Sequence, residues 1–285
     1  MARGSGKLIK QNPLIETVSG NGLFYLDEVA QYQQASKWPS VYSMVTNGLT
    51  FYLNSANASS YSGSGSTWSD LSGNAYNASL VSTGYTTDAT AGGVITFNGS
   101  PGGSRMTTPI GPMSYSSPTF TYDIWFKCTG SQTGQNGCTT CWGFRFNSGG
   151  NVGNFEQVIY CTDYNGTVLP HGGFVGRYGG GGTGSSTFNW HPSQLVFLNT
   201  WVNFAVSHTA GSSKFYINGN LIATGNYSYT TYTTATNLWF GNGSAGVYGG
   251  HFGPGYVSQI RYYNRILTDQ EVYANFGATR MSFGV

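Results

Sequence analysis

The ten acidic residues are the first place to look for chemistry, because two carboxylates about 5 Å apart can share acid, base and nucleophile roles. Asp and Glu total 10 in a chain of 285 residues, and no strand of the pattern E-x-D-x-x-E occurs. The close pairs, Asp27-Glu28 and Asp269 with Glu271, stand where helices are predicted to begin. We therefore expect no hydrolysis by paired carboxylates.

The histidines do not suggest a catalyst either. His171, His191, His208 and His251 fall in predicted loops or at predicted strand ends. No Gly-X-Ser-X-Gly or His-Glu-X-X-His motif accompanies them. We expect them to be polar surface residues, and we expect the protein not to be an enzyme.

The cysteines leave three alternatives open. Cys128, Cys138, Cys141 and Cys161 lie in one window, and they could form a Cys₄ zinc site, two disulfides or four reduced core thiols. A calcium ion would need several oxygen ligands, and Asp70 has no acidic neighbours, so we expect it to cap backbone amides. The sequence assigns no metal and no cofactor.

A meander of three antiparallel strands is the clearest structural pattern. Val202, Phe204 and Val206 alternate with smaller or polar residues, which predicts a strand with one buried face. A polar loop at 209–213 follows. Asn218-Gly219 then separates two further apolar runs, and this pair suits a type I′ turn with positive φ at both residues.

Similar patterns predict the remaining elements. Gly-rich loops are expected at 171–191 and 242–255. A C-terminal helix is expected from Asp269 to Phe276, because Thr268 and Glu271 have the spacing of a capping box, and Leu267 and Val272 that of a hydrophobic staple. Strands are predicted at 49–53, 120–127, 144–146, 157–160, 237–241 and from 256 onward.

Residues 1–46 differ from the rest and are predicted to be an attachment arm. They begin with a basic, Gly/Ser-containing run and continue into 22–38, where Leu26, Val29 and Tyr32 share one helical face. One short helix is expected there, ending before Pro39. The predicted domains are the arm, 1–46, and a β-sandwich, 47–285.

Composition favours a neutral, polar surface. Charged residues make up 8% of the chain, while Gly reaches 43 residues and Tyr 21. Without a clustered basic stripe we expect no nucleic-acid binding. No apolar run approaches the ~20 residues that span a bilayer, and Met1 is not followed by the apolar core of a secretory signal, so we expect no membrane insertion and folding in a cytosol.

Three stretches resemble one known family. The meander from Trp201, the segment T-W-S-D-L-S-G-N-A-Y-N-A-S-L from Thr67 and the run Tyr256 to Val272 are similar to laminin-G-like (LamG) members of the concanavalin A-like lectin/glucanase superfamily. The resemblance covers about 48–276. It implies an all-β fold, a jelly-roll sandwich of two antiparallel sheets. Asn98 stands where the family commonly has an acidic residue, which argues further against a metal site.

The arm has a resemblance of its own. The sequence L-D-E-V-A-Q-Y followed by K-W-P resembles N-terminal segments of tailed-bacteriophage virion proteins. It implies a tail-fibre, baseplate or capsid-surface protein that is assembled in the host cytoplasm, contacts other virion proteins through the arm and stands on the virion surface. A homo-oligomer is expected, a trimer if the protein is a fibre. The alternatives are a purely structural decoration or cement protein and a cellular secreted lectin.

Recognition of host-surface carbohydrate is the function that remains. Aromatic rings stack on the apolar faces of sugars, and amide and imidazole groups bond their hydroxyls. The candidate carbohydrate-binding residues stand in the long Gly-rich loops: Tyr178, Trp190, His191, Asn242, Tyr248 and His251.

Overall fold

The structure, a computed structural model, describes six ranges with side chains: 42–98, 103–109, 119–129 (Cys128 by its backbone only), 199–209, 212–225 and 254–285. It describes the backbone of further strands at 15–16, 23–24, 141–147, 156–160, 174–178, 186–190 and 237–241. No helix in these ranges is long and apolar enough to cross a bilayer.

The described elements are strands followed by a helical C-terminus. The strands are β1 (Ile15–Glu16), β2 (Leu23–Phe24), β3 (Leu49–Asn54), β4 (Thr67–Trp68), β5 (Ala78–Val81), β6 (Gly84–Asp88), β7 (Gly92–Phe97), β8 (Arg105–Pro109), β9 (Phe120–Cys128), β10 (Cys141–Asn147), β11 (Glu156–Tyr160), β12 (Phe174–Tyr178), β13 (Ser186–Trp190), β14 (Val202–Thr209), β15 (Ser212–Ile217), β16 (Asn220–Gly225), β17 (Asn237–Gly241) and β18 (Gly255–Tyr263). Helix α1 (Asp269–Gly277) and a 3-10 helix (Arg280–Phe283) follow.

Two eight-stranded sheets contain all the strands from β3 onward. Sheet I has the order β13-β12-β11-β10-β17-β8-β5-β4, and sheet II the order β16-β15-β14-β9-β18-β7-β6, with β3 also paired to β18. The pairings are antiparallel, which confirms the predicted jelly-roll sandwich with a C-terminal helix. In the arm, β1 pairs with β2, and the rest of the predicted arm helix, 25–38, lies outside the described residues.

The core lies between the two sheets. Phe120, Tyr122, Ile124 and Phe126 alternate along β9, and all four are buried in one cluster. Side chains of sheet I such as Trp68 belong to the same cluster. Alternating apolar residues therefore bring the two sheets together, as the period of a strand requires.

The meander forms, with a shorter first connection than predicted. Thr209 pairs with Ser212, so only positions 210 and 211 separate β14 from β15, and the expected loop at 209–213 is wrong at its ends. The cross-strand ladder extends the strands over small polar residues that local sequence suggests are a loop. Asn218 and Gly219 have φ of 48° and 74°, which confirms a turn with positive φ at both positions.

Both faces of β14 are buried, which corrects the prediction of one buried face. Asn203, Ala205 and Ser207, on the face away from the core, are each at most 2% exposed. Ala205 packs in a cluster with Leu267 and Val272, at the start of α1. The C-terminal helix covers this outer face, and a strand pattern alone does not report such a cover.

Helix α1 begins as predicted. The Thr268 side chain accepts a hydrogen bond from the Glu271 amide, and the Glu271 carboxylate accepts one from the Thr268 amide, so the capping box is present. Leu267 and Val272 share a buried cluster, as a staple requires. The helix ends at Gly277, one residue beyond the predicted end.

The last residues before the sandwich pack against α1. The Val45 amide donates to Asn275 Oδ1 at 2.9 Å, and the Tyr263 hydroxyl donates to the Val45 carbonyl at 3.0 Å. The Tyr42 ring makes an edge contact with Tyr273, their centroids 5.7 Å apart. The division of the chain at residues 46 and 47 remains a prediction, but residues 42–46 are packed on the sandwich.

Candidate carbohydrate-binding site

The ends of several strands meet at one end of sheet II. Gly255, the first residue of β18, pairs with both Cys128 of β9 and Phe97 of β7. Val202, the first residue of β14, pairs with Phe126, two residues before Cys128. We call this the Gly255 end of the sandwich.

The same end continues into sheet I. The Asn98 amide donates to Ser104 Oγ at 3.1 Å, which holds the end of β7 close to Arg105, the start of β8. Arg105 pairs with Gly241, the last residue of β17. The end of β17 therefore lies at the Gly255 end.

Trp190 reaches this end through the outer strands of sheet I. Phe144 of β10 pairs with Phe240, next to Gly241, so the start of β10 lies at the Gly255 end. Cys141, at this start, pairs with Tyr160, Tyr160 pairs with Val175, and the preceding Phe174 pairs with Trp190. Trp190 is the last residue of β13 and therefore lies at the Gly255 end.

Tyr178 lies at the other end of the same strand pair. It pairs with Ser186 and with Gln157, four residues along β12 from Phe174. At about 3.3 Å per residue, some 13 Å of strand separate its position from that of Trp190. The topology therefore does not bring these two predicted site residues together.

The other four candidates, His191, Asn242, Tyr248 and His251, lie outside the described residues. His191 directly follows Trp190, and Asn242 directly follows Gly241, both of which are last residues of strands at the Gly255 end. Their role in binding stays a prediction.

The predicted loop at 171–191 is wrong over two stretches. Residues 174–178 and 186–190 form β12 and β13, a pair that extends sheet I. Phe, Val, Tyr, Thr and Trp in these stretches favour strands, but neighbouring glycines hide the alternation. Pairing with β11, rather than local pattern, decides the structure here.

A charged cluster is built into the Gly255 end. The Lys127 ammonium lies 5.2 Å from the ring centroids of both Trp201 and Tyr256, and it forms an ion pair with Asp88. The Trp201 indole N–H also donates to Asp88 Oδ1, at 3.0 Å. Burial acts to raise the pKa of Asp88, but hydrogen bonds from Lys127, the Ala91 amide and Trp201 outweigh it and hold that pKa well below its usual range.

Asp70 is saturated with hydrogen bonds. Its Oδ1 accepts from the Tyr52 and Ser72 amides at 2.8 and 2.9 Å, and its Oδ2 accepts from the Ser72 hydroxyl and the Tyr76 amide at 2.7 and 3.1 Å. The predicted capping role is confirmed. These four donors occupy both oxygens that a calcium ion would require.

The other acidic side chains that the structure describes are also engaged. Asp123 pairs with Arg261 at 3.0 Å, and Asp269 with Lys214 at 2.7 Å. Glu271 forms a double contact with Arg265 at 2.6 and 2.9 Å, and this hydrogen bonding lowers the pKa of Glu271 to about 2. A general acid for sugar chemistry needs a raised pKa, whereas Asp269 and Glu271 have lowered ones.

The sequence of this chain matches the model of a known family. The model of the concanavalin A-like lectin/glucanase superfamily, in its laminin-G form, matches residues 98–273, more than half of the chain. The chain belongs to this superfamily. A comparison with curated proteins gave no match.

Solved structures share the lectin-like fold. The binding domain of Paraclostridial Mosquitocidal Protein 1 aligns with a TM-score of 0.55 and 16% identity over 81% of this chain and 52% of that one. Domain 4 of AbnA, an arabinanase from Geobacillus stearothermophilus, was solved in complex with arabinotriose and gives 0.54 and 18% over 79% and 96%. Trypanosoma rangeli sialidase with sialic acid gives 0.55 and 17% over 82% and 33%. This chain thus spans about half of the toxin binding domain.

His208 departs from the expected surface position. Its side chain is fully buried at the end of β14, where Nδ1 lies 2.6 Å from Ser213 Oγ and the imidazole contacts Phe120. Burial lowers the pKa of His208 to about 4. In this lectin-like sandwich the residue is part of the core, because the sheet continues beyond the end that the sequence suggests.

In the part of the chain with described side chains, no group of three or more His, Cys, Asp or Glu residues could hold a metal ion. The backbone places Cys128 and Cys141 at the Gly255 end, in different sheets. Cys138 and Cys161 lie outside the described residues, so the three alternatives for the cysteines stay open.

Proposed function

We propose that this chain is a non-enzymatic carbohydrate-recognition protein of a bacteriophage virion, in which the lectin-like sandwich faces outward and binds host-surface glycan. The observation that carries the proposal is a superfamily scaffold whose described carboxylates are all committed to structural contacts. Such a scaffold can offer surfaces to a sugar, but in its described part it offers no free acid and base pair for cleaving one.

The structural neighbours support a binding role. The arabinanase domain and the sialidase were solved with arabinotriose and with sialic acid. Another structural neighbour is the binding domain of botulinum neurotoxin DC, which was solved in complex with SialylT. Its sequence is 15% identical to this chain. These ligands belong to those proteins, and for this chain they are the natural first probes.

The Gly255 end is where we place recognition. Trp190 lies there, and the positions of His191 and Asn242 directly follow strands that end there. Tyr248 and His251 belong to the segment that connects Gly241 to Pro254, both at this end. Tyr178 lies at the opposite end, so it would contact only a saccharide several rings long.

The virion location rests on the arm and the surface. The arm sequence resembles phage virion segments, and charged residues are only 8% of the chain. We propose that residues 1–46 bind other virion proteins and that the protein forms a homo-oligomer. A decoration protein without glycan binding is the alternative that the test below separates.

A glycan array of the full chain tests recognition, followed by titration calorimetry with arabinotriose and sialic acid. We expect saturable binding that Trp190→Ala weakens about tenfold, since a stacked ring contributes about 1 kcal/mol beyond its buried area. Ile266→Ala is the control, since Ile266 is exposed beyond the end of β18 that lies opposite Gly255. Absence of any sugar binding would favour the decoration protein.

Mass spectrometry of purified phage particles tests the location. The chain should be present in intact particles in a fixed ratio to the major structural protein. Particles that lack it would refute the virion role and leave the lectin role standing.

A further inference from the structure

Tyr85 is the exposed aromatic residue of an edge strand. It lies in β6, the last strand of sheet II, where residues 84–87 are all exposed and the Tyr85 side chain is 37% exposed. It pairs with Ile95, which pairs with Val257, two residues from Gly255. Tyr85 is therefore near the Gly255 end, on the edge of sheet II.

The ring is held firmly although it is exposed. The Tyr61 ring, which is buried, lies 5.1 Å from it between centroids. The Tyr85 hydroxyl donates to the Ser55 carbonyl at 3.4 Å and lies so close to Gly93 that a Cβ there would collide with it. A fixed ring loses little conformational entropy when a ligand binds, which favours affinity.

The adjacent loop gives the ring open, uncharged surroundings. A Cβ on Gly63 would contact the Tyr85 ring at 3.4 Å, whereas one on Gly65 would meet nothing within 4 Å. Both glycines have φ of +95°, a conformation that side chains disfavour. Residues 54–69 contain no charged side chain, and Ser62 and Ser64 beside the glycines are exposed.

The nearest carboxylate on the strand does not alter this neutrality. Asp88 ends β6, but its carboxylate is 7% exposed and is paired with Lys127. A charged ligand would therefore find no free counter-charge along β6. A partly exposed ring on the edge strand of the described sheet, near the exposed Ser62 and Ser64, suits a ligand with an apolar face and many hydroxyl groups.

We propose that Tyr85 is a stacking platform for an uncharged saccharide, a second contact point beside the Gly255 end. The proposal rests on the proposed glycan recognition and identifies the ligand class as neutral sugar. One face of the ring packs toward Tyr61 and Gly63, and the sugar stacks on the exposed part. The exposed Ser62, next to Gly63, offers a hydroxyl group for hydrogen bonding to the sugar.

Titration calorimetry of the full chain with neutral glycans, arabinotriose and the uncharged array glycans, tests the platform. Tyr85→Ala should weaken binding about tenfold, while Tyr85→Phe should stay within about twofold because the ring remains. Leu221→Ala is the control, since Leu221 is 43% exposed on β16, the opposite edge of sheet II. Equal affinities of wild type and Tyr85→Ala would overturn the proposal.

A further variant separates stacking from folding. Tyr85→Leu keeps apolar contact with Tyr61 but lacks a flat ring, so it should lose affinity while its thermal unfolding midpoint stays near wild type. Loss of affinity that tracks loss of stability would overturn the platform.

The outcomes also separate the two proposals. A wild type that binds no glycan contradicts both. A wild type whose binding depends on Trp190 but not on Tyr85 retains recognition and refutes the platform. A Tyr85→Ala chain with unchanged sugar affinity and an altered sedimentation coefficient would make this edge a protein contact instead.

Discussion

The central strands of sheet II are buried on both faces, but by different chemistry. The face toward sheet I is almost wholly apolar, with Phe120, Ile124 and Phe126 fully buried on β9 alone. The outer face of the same strand carries Asp123, 1% exposed, and a fully buried Trp125. Close packing and buried apolar area stabilise the first face, whereas the stability of the second depends on hydrogen bonds to its buried polar atoms.

The outer face contains a charged row across three strands. Arg261 donates to Asp123 Oδ2 at 3.0 Å and to Gln259 Oε1 at 2.6 Å, and Asn203 donates to Asp123 Oδ1 at 2.8 Å. Arg261 Nε and Asn203 Oδ1 have no hydrogen-bond partner in the described structure. Removal of Asp123 or Arg261 leaves the other charge buried without its partner. We therefore expect the two faces to tolerate mutation very differently.

The largest effect is expected on the outer face. Asp123→Ala leaves the Arg261 guanidinium buried without its counter-ion, which should reduce the free energy of unfolding by about 3–5 kcal/mol. Ile124→Val is the neighbouring control on the inner face, with an expected loss of about 0.5–1.5 kcal/mol. Urea unfolding of both variants checks the comparison, and equal losses would refute it.

A pH dependence is expected from the inner face, where His208 is buried. Its pKa in the folded state is about 4, against an ordinary value near 6.5, so between these values the unfolded chain binds a proton that the folded chain does not. The stability that this neutral His208 allows is complete above pH 6.5 and is lost as pH falls toward 4, by roughly 3 kcal/mol. Unfolding free energies at pH 7 and pH 4 measure the loss.

His208→Gln is the control for this pH effect, because glutamine does not titrate. The variant should lose stability more slowly than wild type over the same range. Identical slopes for the two proteins would assign the acid sensitivity to other groups, of which Asp88, Asp269 and Glu271 have lowered pKa values.

The smallest effect is expected at the start of the helix that covers the outer face. Thr268→Ala removes the side-chain half of the capping box and should cost about 1 kcal/mol in the free energy of unfolding. Ser282→Ala, at an exposed position in the 3-10 helix, should change stability little. If Thr268→Ala changed the free energy of unfolding as little as Ser282→Ala, the helix cap would not contribute to covering the outer face.

Contacts between close neighbours in sequence could be predicted. The Asn218-Gly219 turn, the Thr268 and Glu271 box and the capping of the Ser72 amide by Asp70 each depend on residues within a few positions, so their types and spacing specify them. The alternation in β9 likewise specified the inner face, because the period of a strand is fixed by backbone geometry.

The candidate site could be predicted only in outline. Trp190 and Tyr178 belong to neighbouring strands, but which end of the sandwich each occupies follows from the register through β11 and β10. The sequence pattern around Tyr85 did not indicate a binding residue, because the side chain is held in place by Tyr61 and Gly93, which lie beside it only in the folded chain.

The central meander and the capped C-terminal helix could be predicted from the amino-acid sequence because they follow from local periodicity and turn chemistry. The resemblance to laminin-G-like proteins implied the sandwich. Three-dimensional packing and strand pairing, in contrast, bury the outer face of the central strands of sheet II, bring Asp123 next to Arg261 and place the end of β17 at the Gly255 end. Asp123 and Arg261 are far apart in the chain, and a period-2 pattern reports which side a residue faces but not what covers that side.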